Sequence, residues 1–177
     1  MNILALCGSI RAKSSNLALL KAAQLLALPP LNVTIYPELS DLPYYNPDLD
    51  LDLDSPPAVV KRLREKIQSS NAILISTPEY AHGVPGVLKN ALDWLVSDPH
   101  FAGKPVGLLY GSATEASFAH SSLIEILNTM SARLIPEAIL SIPGARTKIN
   151  SAGAITDPDI SLKIAAALKA LINGAMP

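Results

Sequence analysis

The chain has no means of forming an internal disulfide: its 177 residues include one cysteine, Cys7, which fits a reducing compartment. Long hydrophobic runs are missing too. Apolar residues make up 49% of the chain, enough for a substantial core, yet no stretch nears the ~20 uninterrupted apolar residues of a membrane span. The opening Met-Asn-Ile-Leu-Ala-Leu-Cys has neither the basic leader nor the cleavage site of a signal peptide. Excess charge of either sign is absent. Fourteen basic and fifteen acidic side chains leave a net charge of −1, which argues against a nucleic-acid partner and against electrostatic steering. The three histidines, His82, His100 and His120, are too widely spaced from each other and from Cys7 for a metal-ligand pattern. These absences set the expectation of a cytoplasmic protein with no membrane, nucleic-acid or metal partner.

What is present is strict alternation of strand-like and helix-like stretches, the pattern of a parallel α/β sheet. The apolar runs predict strands over Asn2–Cys7, Asn32–Tyr36, Ala72–Thr77, Pro105–Tyr110 and Arg133–Ile142. Pro136 interrupts the last of these, which suits an edge strand or a strand end. Helices are predicted near Asn16–Leu28, Pro57–Ser69, Val87–Val96, Glu115–Met130 and Asp159–Ile172. Five strands and five helices in alternation give a three-layer, flavodoxin-like α/β fold with sheet order 2-1-3-4-5 and helices on both faces. With no repeat and no flexible linker, residues 1–177 read as one domain. Two segments exceed a minimal sheet: the proline-bearing Asp41–Pro57, expected to be an ordered surface excursion, and Pro143–Pro158, rich in small residues. Long loops of this kind tend to be functional or disordered, and both are candidates to cover a ligand or a partner subunit.

Two loops at strand ends carry the chemistry. The first, Gly8-Ser9-Ile10-Arg11-Ala12-Lys13-Ser14-Ser15-Asn16, joins strand one to helix one. Backbone N–H groups at a helix start favour an anion. Ser9, Ser14 and Ser15 can donate hydroxyl hydrogen bonds, Asn16 can donate or cap, and Arg11 can fork onto phosphate oxygens. It has neither the three glycines of the dinucleotide fingerprint nor the Gly-Lys-Ser/Thr of a Walker loop. An ordinary strand-to-helix turn, with Ser or Asn as the N-cap and a solvated Arg11, is the competing reading.

The second loop follows strand three. Within Ser76–Trp94, STPEYAHGVPGVLKNALDW, the segment Pro78–Gly86 is punctuated by prolines and glycines that fix the backbone and allow close approach to a flat ring. Tyr80 and His82 offer stacking surfaces or donors, Glu79 can accept a hydrogen bond or anchor the loop, and backbone N–H groups can stabilise charge on a reduced ring. The competing reading is a half-buried loop tyrosine and a surface histidine. Phosphate at one loop and a ring at the other suit a mononucleotide cofactor.

GSIRxxSSN followed by TPEYxHGVPGVLKNALDW resembles the NADPH-dependent FMN reductase family, as does Leu42-Pro43-Tyr44-Tyr45-Asn46-Pro47-Asp48. The resemblance implies a flavodoxin-like protein that binds FMN noncovalently and forms homodimers or dimers of dimers. It implies hydride transfer from NADPH or NADH through FMN to a small-molecule acceptor such as a quinone, azo compound, metal oxyanion or free flavin, with no dedicated catalytic proton-transfer residue. Carried over, Ser9, Arg11, Ser14 and Asn16 match the phosphate loop, and Pro78, Glu79, Tyr80, Ala81, His82 and Gly83 the isoalloxazine loop. Two departures stand out. Ala81 occupies the place of the family's usual Asn, removing one polar contact. After strand four the family has a glycine-rich turn, whereas Gly111-Ser112-Ala113-Thr114-Glu115-Ala116-Ser117 keeps only Gly111. Ser112 and Thr114 can replace lost donors or cap a helix, and Glu115 would repel a facing phosphate. A flavodoxin-type electron carrier and a flavin-free relative of the same fold are the alternatives; the balanced charge speaks against the first, and the altered third loop is the only support for the second.

Among the remaining residues, Cys7 reads as a buried strand thiol and Trp94 and Leu95 as core or interface. Lys89 and Asp93 are one helical turn apart and expected to pair. The alternation Asp48-Leu49-Asp50-Leu51-Asp52-Leu53-Asp54 reads as an extended segment with leucines inward and aspartates solvated.

Overall fold

A computed structural model of the chain describes residues 1–111 and 117–176. Five parallel strands, β1 (Asn2–Cys7), β2 (Asn32–Ile35), β3 (Ala72–Thr77), β4 (Pro105–Tyr110) and β5 (Arg133–Ser141), form one sheet in the order β2-β1-β3-β4-β5. The central strands β3 and β4 are buried along their whole length, because helices cover both faces. On one face α1 (Ser15–Leu26) and α6 (Pro158–Ala175) pack through Leu19, Leu20, Ile164 and Leu171. On the other lie α2 (Ala58–Ser69), α3 (Gly86–Asp93) and α4 (Ser117–Thr129). Val60, Leu63 and Ile67 of α2 are buried at the spacing of one helical face. Trp94 and Leu95 are core residues beside α3, and Lys89 pairs with Asp93.

The edge position of β5 explains its proline. Pairing with β4 runs from Pro105–Arg133 to Val106–Leu134 and resumes at Leu108–Ile139, so Pro136 lies in an irregularity where its missing N–H breaks no ladder. Pro143–Pro158 contains a one-turn helix, α5 (Ala145–Lys148), that the sequence pattern did not indicate.

The Asp/Leu segment overturns its sequence reading. Leu49, Leu51 and Leu53 are exposed, Leu51 to 79%, while the Asp50 side chain is 2% exposed. A 3₁₀ turn over Pro47–Leu49 breaks the extended backbone, and Arg64 on α2 supplies the reason for the inversion. Its Nη2 has four acceptors within reach of its two N–H bonds: both Asp50 oxygens (2.9 and 3.0 Å), Ser97 Oγ (2.8 Å) and the Trp94 carbonyl (2.6 Å). A buried guanidinium without a counter-ion would cost several kcal/mol, so the aspartate goes in and the leucines come out. A second tether fixes the start of the excursion: Asn90 Nδ2 and Trp94 Nε1 both donate to the Pro43 carbonyl (2.9 and 2.8 Å), and Tyr45 N–H donates to Asn90 Oδ1 (2.8 Å). The excursion is ordered, as expected.

Candidate functional site

The sheet order reverses between β1 and β3, and the loops leaving their carboxyl ends meet at Ser9 and Tyr80, at the usual ligand position in open α/β sheets. The first loop starts where Gly8 N–H donates to the Ser76 carbonyl (2.8 Å). A Cβ on Gly8 would lie 2.4 Å from Thr77 Oγ1, so only glycine lets β1 and β3 close up here. Ser14 is the N-cap of α1, its Oγ accepting from Leu17 N–H (3.2 Å). The capping reading is therefore correct for this serine, and it leaves the N–H groups of Ser15 and Asn16 without a partner among the described residues. The first turn of α1 carries no acidic residue. Arg11 is exposed, and its backbone N–H donates to Ser9 Oγ (3.4 Å).

Asn16 differs from its expected part. Its side chain is buried and points into the fold: Oδ1 accepts from Ser76 Oγ (3.0 Å) and Gly111 N–H (3.1 Å), and Nδ2 donates to the Gly111 carbonyl (3.3 Å). The amide ties the ends of β3 and β4 to α1, leaving its backbone N–H as the group available to an anion. Ser15 Oγ also donates to the Gly111 carbonyl (3.4 Å). Gly111 itself is a packing glycine, because a Cβ there would meet Leu19 at 2.6 Å. Ser112, Thr114 and Glu115 lie outside the described residues.

The second loop holds a tight reversal. Tyr80 and Gly83 exchange backbone hydrogen bonds (3.1 and 3.0 Å) around Ala81 and His82, whose φ values are +48° and +58°. Positive φ at both central positions makes this a type I′ turn, which favours Asn and Gly. The family's Asn at position 81 thus has a backbone rationale beyond a side-chain contact, and Ala81 holds the left-handed conformation under strain. The N–H groups of Ala81 and His82 have no partner among the described residues, so two adjacent donors face outward.

The loop is anchored through α4, as expected of Glu79. Its Oε2 accepts from Ala119 N–H (2.9 Å) in the first turn of that helix, where the positive dipole end favours a carboxylate. The His82 ring stacks on Phe118 with centroids 4.4 Å apart and planes 12° from parallel. Phe118, 56% exposed, escaped the sequence reading because no local pattern marks it. Tyr80 Oη lies 3.5 Å from Ser9 Oγ, which brings the two loops together. At the foot of the first loop, burial pushes the Cys7 thiol pKa up and Sγ donates to the Ser9 carbonyl (3.3 Å), as befits an unreactive strand thiol. The buried Tyr110 at the end of β4 packs its ring on His120, and desolvation pushes its hydroxyl pKa up.

Free N–H donors at the start of α1, a nearby guanidinium and no first-turn carboxylate suit a phosphate. The outward N–H pair and exposed aromatic edges of the second loop suit a flat ring with carbonyl oxygens. The residues present fit a flavin mononucleotide.

Comparison with known proteins agrees with this fit. The family model described as NADPH-dependent FMN reductase matches residues 1–147. An NAD(P)H-dependent FMN reductase of Pseudomonas aeruginosa is 41% identical over 115 residues, 64% of this chain and 60% of that protein, so the chain spans less than two thirds of that relative. An NAD(P)H:quinone oxidoreductase of Solanum tuberosum is 31% identical across 97% of this chain and 91% of its own length. The solved structure of the flavoenzyme NAD(P)H:(acceptor) oxidoreductase FerB from Paracoccus denitrificans superposes with a TM-score of 0.80, at 29% identity, covering 98% of this chain and 96% of that one. The flavodoxin-like sheet, the paired loops and these matches together lead to one conclusion: this chain belongs to the NADPH-dependent FMN reductase family.

Proposed function

We propose that the protein is an FMN-dependent NAD(P)H oxidoreductase that reduces small-molecule acceptors of the quinone type, with residues 1–177 acting as one FMN-binding unit. The observation that carries the reading is the convergence of the two loops, joined by the Tyr80–Ser9 contact, with unpartnered backbone donors on both. Ser9, Arg11, Ser14 and Ser15, with the Asn16 N–H, hold the phosphate. Pro78 and Glu79 set the course of the ring loop, Tyr80 would flank the ring, and the free N–H groups of Ala81 and His82, in the turn that Gly83 closes, would serve the pyrimidine carbonyls. Gly111 contributes by letting α1 approach β4, and Ser112 follows at the third loop. Bound FMN supplies the hydride-accepting and electron-passing chemistry.

The protein's part is positional. The donors at residues 81 and 82 are held by the turn's own backbone hydrogen bonds, so favouring negative charge on the ring would need little reorganisation. The Glu79 carboxylate is committed to α4 and the His82 ring to Phe118, so neither is assigned a proton-transfer step. NADPH or NADH and the acceptor use the open side of the ring loop in turn. The exposed Tyr44, Leu51 and Leu53 on the tethered excursion support a homodimer or a dimer of dimers, and no helix among the described residues is long and apolar enough to cross a membrane. A cytoplasmic location fits the single buried cysteine. Anaerobic addition of NADPH to the FMN-loaded protein is expected to bleach the flavin absorption, with a quinone restoring it. A flavin spectrum that binds but stays unreduced refutes the oxidoreductase reading.

A further inference from the structure

Along α6, Ala165, Leu168, Lys169, Ile172, Asn173 and Met176 recur at three- and four-residue spacing and line one groove, as one stripe of a helix does. Leu168 at the base of this stripe is buried in the core, whereas Met176, just beyond the helix, is 52% exposed. The facing wall is Leu26 at the end of α1 with Leu28, Pro30 and Leu31 of the turn into β2, and Leu28 is 73% exposed. The groove between these walls has a volume of about 460 Å³, typical of small-molecule sites. It sits at the amino ends of β1 and β2, whereas the two paired loops leave the carboxyl ends of β1 and β3. The length of β1, roughly 20 Å, separates the two places.

We propose that this groove binds a medium-chain alkyl carboxylate, at a site independent of the flavin. Its walls carry no aromatic side chain on which a ring could stack, and their leucine, isoleucine and methionine side chains suit a flexible chain. Lys169 is the one charged side chain among the described residues that line the groove. It is exposed, and no ion-pair partner holds it among the described residues. No carboxylate lines the groove, and α6 carries none after Asp159. The carbonyl end of α6 would repel an anion, but Arg133 donates to the Gly174 carbonyl there and offsets that dipole. The carboxylate head therefore lies at Lys169 and the Asn173 amide one turn on, both of which can donate to it. The chain lies between Ile172 and Leu28, with Leu168 as the floor.

Calorimetric titration of the protein with octanoate, decanoate and octanol, each with and without saturating FMN, tests the site. Decanoate is expected to bind about tenfold more tightly than octanoate, because two more methylenes leave water. Octanoate should bind about fivefold more tightly than octanol, the effect of one exposed ion pair. Lys169→Glu should abolish the preference for the carboxylate and leave the affinity for octanol within about twofold. Ala165→Trp, which fills the groove from α6, should weaken decanoate at least about tenfold, and Leu28→Ser, which strips the facing wall, about threefold. Both replaced side chains are exposed, so thermal melts of the two variants should match the native protein. FMN should change none of these affinities, which keeps the outcome separate from the oxidoreductase reading. Absence of decanoate binding, binding that survives both wall variants, or a carboxylate preference untouched by Lys169→Glu overturns the proposal. Sedimentation showing a dimer that Leu28→Ser dissociates overturns it as well, since a second copy of the chain then fills the groove.

Discussion

The two loops of the proposed site are built on opposite plans. The first is held from inside: Ser9, Ser14 and Asn16 are buried, and the Asn16 amide alone ties together α1, β3 and β4. The second is held from outside, by the Glu79 carboxylate on the start of α4 and an exposed aromatic stack, and it carries two non-glycine residues at positive φ. An anion cradle of fixed dimensions can be part of the core. A surface that receives different ring systems in succession benefits from donors that stand clear of the core. Substitutions in the first loop should therefore damage the fold along with the site, and those in the second should alter the site with a smaller effect on the fold.

The largest effect is expected for Asn16→Ala. It strands the Gly111 N–H and carbonyl and the Ser76 hydroxyl in the interior, and should destabilise the protein by about 3 kcal/mol, a fall in Tm of roughly 6–12 °C, read by calorimetry. A loss below about 1 kcal/mol would mean that Asn16 is not the tie described above. Glu79→Ala should cost about 1–2 kcal/mol, the range for loss of a helix cap, and denaturant titration of Glu79→Gln, which keeps an acceptor oxygen, should recover much of it. Ala81→Asn works in the opposite direction. Asn accepts the left-handed conformation more readily, so stability should rise by about 1 kcal/mol; a decrease would show that the turn is not strained at Ala81. The smallest expected effect concerns Cys7. Its raised pKa and burial keep the thiol protonated near neutral pH, so alkylation should be negligible in the native protein and complete after unfolding.

Much of the architecture was legible in the sequence because it depends on local periodicity. β1, β3 and β4 have the bounds predicted from their apolar runs, and β2 and β5 stop one residue short. The sequence concealed features that depend on distant partners. Asp50 looks solvated until Arg64 and Ser97 arrive from two other segments to surround it. Asn16 looks like a loop ligand until the sheet order brings Gly111 beside it. The type I′ turn carries no Asn-Gly signature, since Ala81 and His82 occupy its centre, and α5 is a single turn, too short to show a period. For the proposed site, the motifs pointed to two loops that the fold brings together, but gave no indication of which side chains were already committed to packing.

If one loop takes a phosphate and the other a ring, FMN and riboflavin, its counterpart without the phosphate, should bind very differently. Quenching of flavin fluorescence should give an affinity for FMN at least about 100-fold higher than for riboflavin, the equivalent of two charge-assisted hydrogen bonds. Equal affinities would mean that the loop between β1 and α1 does not hold the phosphate, and would contradict the account.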